Sequence, residues 1–296
     1  ASAAWNGKAF PAGDGRADVV LRRTSAVLPV AGVLGIDLIR DGMLRFSASE
    51  LGVGDSTLRW QGTLGLDGWE PAWSLVAEPA RLDEVVGLVN ALVGSPVLPG
   101  ELAGDGSLEV NLAGPFDELM VTAHVDARPL LLPPIAIDRL VADLSVSGDE
   151  LRIGSAHFQI GDGSGEIEGR LSWDGAAGDD QLQLSTRGSH LPLAAVASWV
   201  DLESSVEAGT LSFDGVLEGP LASPRGSWLV GLDGLMLAGL DVGSASSLVE
   251  LAEGRFTCRD LTSDRGLEAA LWWDVPAAQV TGNLRWPRLS LAPLGA

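Results

Sequence analysis

Apolar and polar side chains alternate one for one along most of this 296-residue chain. Ser107 to Leu112 sets Leu108, Val110 and Leu112 against Ser107, Glu109 and Asn111. Leu119, Val121, Ala123 and Val125 alternate in the same way, as do Leu140, Ala142, Leu144 and Val146. Ile167, Leu171 and Trp173 oppose Glu166, Glu168 and Arg170, while Leu211, Phe213 and Leu217 oppose Thr210, Ser212, Asp214 and Glu218. Successive side chains on a strand point to opposite faces, so these segments are strands with one dry and one wet face. Asp41-Gly42, Asp67-Gly68, Gly148-Asp149, Asp174-Gly175 and Asp233-Gly234 supply turn signals between them. The pattern predicts roughly 17–19 strands of about 5–9 residues in antiparallel meanders.

The alternation is organised into repeats. Leu64-Gly65-Leu66-Asp67, Leu171-Ser172-Trp173-Asp174 and Leu271-Trp272-Trp273-Asp274 have one shape, and Arg45-Phe46, Arg152-Ile153 and Arg255-Phe256 stand upstream of them in turn. Leu112-Ala113-Gly114-Pro115 matches Leu217-Glu218-Gly219-Pro220, and Leu191-Pro192-Leu193-Ala194 matches Leu289-Ser290-Leu291-Ala292. Several motifs in one order mark a unit of roughly 105 residues. Helical spacing is confined to two places. Leu82, Val85, Val86, Val89, Leu92 and Val93 recur every three to four residues before Gly94, and a second short segment follows Pro192. The expected organisation is a partial repeat over 1–80, a repeat over 81–190 opening with a helix at 82–93, and a repeat over 191–296 opening with a helix at 192–200. These form one continuous sheet. So few helices exclude a parallel α/β fold, which needs a crossover for most strands.

Composition removes several function classes. Nineteen Lys+Arg against 40 Asp+Glu give a formal net charge of −21, so phosphate counterion release offers nothing and nucleic acid is not a partner. Anionic headgroups would repel the chain as well. The hydrophobic fraction of 46% is too high for a disordered acidic protein. Cys258 is the single cysteine and forms no internal disulfide. No apolar run approaches the roughly 18–20 residues that span a bilayer, and the chain reads as a soluble piece of something longer. His124, His157 and His190 lack metal-ligand spacing with one another or with Cys258. Gly161-Asp162-Gly163-Ser164-Gly165 and Gly178-Asp179-Asp180 lack the ordered oxygen ligands of a calcium loop and read as turns. Glu166 and Glu168 read as a solvated strand face. No nucleophile elbow or phosphate loop is present. No enzyme activity and no cofactor are therefore expected.

A dry face must be covered by something, and two short helices cannot cover so many strands. The sheet either folds on itself with a filled core, coils as a solenoid, or curls into a trough that holds an apolar ligand. Repeats joined by hairpins favour continuation over closure. The fold expected is all-β: an elongated, curled antiparallel sheet, U-shaped around a hydrophobic groove, with one short helix per repeat. Candidate ligand contacts on the dry parity are Leu58, Trp60, Leu108, Val110, Leu112, Leu140, Leu144, Val146, Ile167, Leu171, Trp173, Leu211, Phe213, Leu217, Trp228, Val230, Leu271 and Trp273. Trp286 shares this parity, and ordinary core packing is the competing account of these tryptophans. Rival functions are a structural or adhesive exported β-solenoid with a filled core, and a carbohydrate-active β-sandwich with convergent carboxylates.

Four stretches carry a resemblance: Leu191-Pro192-Leu193-Ala194-Ala195, Gly209-Thr210-Leu211-Ser212-Phe213, Gly219-Pro220-Leu221-Ala222-Ser223-Pro224 and Ile39-Arg40-Asp41-Gly42-Met43-Leu44-Arg45-Phe46. Taken in order they resemble the AsmA family of TamB-like translocation-and-assembly-module proteins, over about Asp18 to Leu294. The resemblance implies a periplasmic envelope protein of diderm bacteria, anchored in the inner membrane when full length. It further implies a hydrophobic groove that carries phospholipid acyl chains towards the outer membrane, with an outer-membrane β-barrel protein as a partner.

Overall fold

The computed structural model describes residues 15–21, 30–39, 42–85, 102–115, 118–132, 135–173, 180–198, 206–237, 239–274 and 279–286. It is all-β, and its 18 described strands belong to one antiparallel sheet. The chain divides into two compact units, residues 1–127 with 145–148, and residues 128–144 with 149–296. The expected repeat boundaries at 81 and 191 each fall inside a unit, where hydrogen-bonded hairpins run on across them.

The first unit contains β1 (Gly15–Leu21), β2 (Val30–Ile39), β3 (Met43–Val53), β4 (Ser56–Gly65), β5 (Glu70–Arg81), β6 (Ala103–Ala113) and most of β7 (Met120–Leu132). From β1 to β6 each strand pairs antiparallel with its sequence neighbour. The second unit holds β8 (Ile135–Ile137), most of β9 (Arg139–Ser147), β10 (Glu150–Ile160), β11 (Gly163–Ser172) and β12 (Gln181–Pro192). It continues through a helix, α1 (Leu193–Ser198), to β13 (Val206–Pro220), β14 (Arg225–Leu237), β15 (Leu240–Ala252), β16 (Arg255–Ser263), β17 (Glu268–Asp274) and β18 (Gln279–Arg285). From β10 to β18 pairing again follows chain order.

Most strands are longer than the alternation suggested. β13 alone spans 15 residues. Gly163 to Gly165, expected in a turn, open β11 instead. Asp233-Gly234 is not a hairpin turn either. It lies within β14 at a register shift between Leu232 and Leu235, where Gly234 has φ 61°. Gly148-Asp149 and Gly161-Asp162 do turn the chain between consecutive strands. Asp41, Asp174 and Gly175, the loop at 178–179 and the motif at 289–292 lie outside the described residues.

The repeat is visible in hydrogen bonding. Phe46 pairs with Gly62 and Ile153 with Gly169, and in both hairpins the register then slips by one residue, to Ser49↔Trp60 and Ala156↔Ile167. The third hairpin, β16–β17, has its slip between Cys258 and Leu261. Each slip is a β-bulge, which re-aims the strand while keeping the apolar set on one face. Gly62 and Gly169 have φ 148° and 151°, beyond what an L side chain tolerates well. Leu112-Ala113-Gly114-Pro115 and Leu217-Glu218-Gly219-Pro220 also end their strands alike, with φ 99° at Gly114 and 102° at Gly219.

Each expected helix follows a bulged strand. Helical backbone runs over 82–85, beyond which the first expected helix lies outside the described residues; α1 stands for the second, and residues 199–200 are likewise outside. Glu84 ties the first to the β3–β4 turn. Its carboxylate accepts from the Asp55 N–H at 2.9 Å, the Ser56 N–H at 3.0 Å and the Ser56 hydroxyl at 2.7 Å. Arg81 N–H donates to the same hydroxyl at 2.8 Å. Desolvation works to raise the Glu84 pKa, but these hydrogen bonds and the Arg81 charge together hold it below the ordinary carboxylate value. A depressed carboxylate stabilises the fold above its unfolded pKa, and that stabilisation is lost as pH falls through its folded pKa. We therefore expect Glu84→Gln to cost about 1–2 kcal/mol at neutral pH and progressively less in acid, read as urea midpoints across pH 3–7.

Candidate functional site

The dry face of the first unit is built in layers across β2 to β6. Ile36, Phe46, Gly62, Trp73 and Leu112 form one layer. Ser49, Trp60, Leu75 and Val110 form the next, and Leu51, Leu58, Ala77 and Leu108 the third. All five contacts expected here, Leu58, Trp60, Leu108, Val110 and Leu112, share this face and are half-buried. Ser49 is the buried polar exception: its Oγ accepts from Gly35 N–H at 3.2 Å and donates to the Ser47 carbonyl at 2.8 Å. Burial deepens towards the helix, at Val53, Ala80 and Leu82.

In the second unit, Gly169, Leu184, Leu217, Gly226, Leu251, Phe256 and Trp273 make one layer. Ile167, Thr186, Gly215, Trp228, Val249, Cys258 and Leu271 make the next. Leu171 and Trp173 lie towards one strand end; Phe213, Val230 and Leu211 lie towards the other. Leu140 packs on a buried cluster of Phe158, Ile160 and Leu191. Leu144 and Val146 keep the same parity along β9 and are half-buried. Twelve expected contacts therefore also fall on this unit's dry face, and Val146 lies on the part of β9 that belongs to the first unit. Leu271 is the most open at 37% exposed, and Leu284 on β18 reaches 65%.

The face is tiled by rings lying over glycines. A methyl at Gly188 would stand 2.5 Å from the Phe213 ring, and one at Gly165 or Gly215 would run into Phe158 or Trp228. Laid flat, an aromatic side chain covers the backbone that a neighbouring glycine leaves bare. The rings also meet one another. Phe46 stacks on Trp60 with centroids 5.0 Å apart, and Trp73 stands edge-on to both. Phe256 stacks on Trp273 at 5.4 Å and touches Trp228 at 6.0 Å. The Trp228 indole N–H donates to Thr186 Oγ1 at 2.9 Å.

Among the described residues, one strand end of the second unit's dry face is closed. Ala195 and Val196 of α1 pack on the Phe158 cluster, and Leu193 packs on a cluster of Leu235, Val242 and Leu267. Trp286 joins that second cluster and donates to the Arg265 carbonyl at 3.1 Å. At the other strand end the aromatic and leucine side chains stay half-buried, with no second layer over them among the described residues.

The wet face is laced with exposed ion pairs, among them Arg187–Asp214 at 2.8 Å and Arg255–Asp274 at 3.3 Å, and His157 Nε2 lies 3.6 Å from Glu166 Oε1. Glu166 belongs to this solvated set, as its parity indicates. A depression of about 440 Å³ on this face is lined by Arg139, His157, Glu166 and Arg187. Among the described residues no three His, Cys, Asp or Glu side chains converge as a metal site, and no helix is long and apolar enough to cross a membrane.

Phe46, Trp73 and Phe256 belong to the lining but were absent from the expected contacts. Trp73 had a readable signal, because Pro71, Trp73, Leu75 and Ala77 alternate along β5. Phe46 and Phe256 served as repeat markers, and each faces the same way as its neighbours on the dry side. Comparison with protein-family models, with curated proteins and with solved structures returns no match for this chain.

Proposed function

We propose that the dry face of each unit binds the acyl chains of amphiphiles, and that the protein is a non-enzymatic lipid-binding and lipid-conducting segment of an AsmA- or TamB-like cell-envelope protein. The observation that carries this reading is the half-buried state of Trp60, Leu184, Leu217, Trp228 and Leu251 at the middle of the layers. In a filled sandwich or solenoid, large apolar residues at such positions are sealed against a second layer. Here they form a smooth lining of rings and leucines that keeps its contact with solvent.

Transfer of an acyl chain from water to such a lining gains about 0.8 kcal/mol per buried methylene. Layers of similar chemistry hold a chain without one deep minimum, so it can move across strands while its headgroup stays in water. The ion pairs of the opposite face keep that face solvated and leave the apolar side as the ligand surface. The periplasm and an outer-membrane β-barrel partner accompany the family resemblance as part of this proposal.

Delipidated protein incubated with phosphatidylethanolamine vesicles and re-isolated by gel filtration should carry at least one phospholipid per chain. Protein that stays lipid-free would favour the filled-core alternative.

A further inference from the structure

The two aromatic clusters differ in one chemical respect. In the second unit the Trp228 N–H has its acceptor in Thr186. In the first, the indole N–H groups of Trp60 and Trp73 are both buried, and neither has a hydrogen-bond partner among the described residues. Trp60 and Trp73 sit in adjacent layers, with ring centroids 5.3 Å apart and planes at 75°. In an edge-to-face pair only one partner can turn its N–H towards the other's ring, and a ring face is a weak acceptor. Ser49, the hydroxyl of the same layer, accepts from Gly35 and donates to Ser47, and takes no hydrogen bond from either indole. Buried donors without acceptors are rare in native proteins, and one apolar face holding two of them points to an acceptor brought by something else.

We infer that Trp60 and Trp73 form a seat for an acceptor oxygen at the head of an acyl chain, either a glycerolipid ester carbonyl or a free fatty-acid carboxylate. This rests on the acyl-chain reading of the dry face and adds to it a polar anchor in the first unit. Indole suits the place, since its apolar ring belongs to the lining while its N–H, buried in the lipid-free protein, meets the oxygen once an entering chain parts the two rings. Phe46 stacks on Trp60, and Leu75, Val110 and Leu112 continue the apolar path beside it. Selectivity follows from the unpaired donors: a chain without an oxygen leaves them unpaired, and one with an oxygen satisfies them.

Three probes test this in the delipidated full chain: diacyl phosphatidylethanolamine, its dialkyl-ether analogue, which lacks the carbonyls, and palmitate. The seat predicts about tenfold tighter binding of the diacyl lipid than of the ether lipid. Trp60→Phe with Trp73→Phe keeps an aromatic ring at both positions, removes both N–H groups and should erase that preference, so that the diacyl and ether lipids bind the double variant alike. Trp228→Phe, whose donor is already satisfied internally, should leave the preference in place. Palmitate weakened in parallel with the diacyl lipid would extend the seat to carboxylates, and palmitate unaffected would confine it to esters. Equal affinity for ester and ether lipids in the unsubstituted protein, or an undiminished preference in the double variant, would overturn the seat and leave the acyl-chain reading intact. Failure of both lipids to bind would overturn both.

Discussion

Leu184→Asp, Leu217→Arg and Leu251→Asp together leave the protein folded and abolish phospholipid capture. The three positions share one layer of the second unit, on β12, β13 and β15, and are half-buried. Alternating the signs places the new charges opposite one another and keeps self-repulsion small. On an open face each substitution gives up part of a leucine's burial, about 1 kcal/mol per site, while water still reaches the charged groups. In a sealed core the same charges would each cost several kcal/mol and unfold the chain. For the ligand the order of effects is reversed. An acyl chain crossing this layer would have to desolvate three charges, so lipid recovered per chain should fall to less than a tenth of the unsubstituted value. Circular dichroism and denaturant midpoints report the fold, and lipid phosphorus reports the capture.

Gly169→Ala should be the most damaging single methyl in the second unit, at about 3–5 kcal/mol. Its φ of 151° is a region that alanine adopts only under strain, which contributes roughly 1–3 kcal/mol. The added carbon also meets the Gln183 carbonyl and lies 2.8 Å from the Leu184 Cα, so backbone would have to shift, not a side-chain tip. That overpacking contributes a similar amount again. Gly62 repeats the situation in the first unit, against the backbone of Ala72 and Trp73, and should respond in the same way. Gly231→Ala is the contrasting case: nothing lies within 4 Å of the new methyl, and the change should stay within about 0.5 kcal/mol. Midpoints of urea unfolding separate these cases.

The face chemistry was legible from the sequence because the period of two survives wherever a strand is regular. Leu108, Val110 and Leu112, or Ile167, Leu171 and Trp173, needed only parity to be placed. Strand length was less legible: Gly161-Asp162-Gly163-Ser164-Gly165 reads as a turn, yet Gly163 to Gly165 open β11, where the Phe158 ring covers Gly165 as those of Phe213 and Trp228 cover Gly188 and Gly215. Asp233-Gly234 misled for a related reason: the same dipeptide chemistry serves a bulge inside a strand and a turn between strands. The repeated slips after Phe46 and Ile153 have no signature in residue type alone. They appear only once the partner strand fixes the register. Trp73 shows the remaining gap, because its importance lies in the company of Phe46 and Trp60, which no spacing along one strand reveals.

Lipid capture requires a dry face that an apolar molecule can reach in the folded protein. Cys258, the single cysteine of the chain, sits half-buried on that face between Val249 and Leu271, with its thiol donating to Ser247 Oγ at 3.0 Å. Delipidated protein held in buffer without denaturant should react with an apolar maleimide at Cys258, and bound phosphatidylethanolamine should slow that reaction at least fivefold. A thiol that stays inert until the chain is unfolded, and whose rate ignores the lipid, would show the face to be a sealed core and contradict the account.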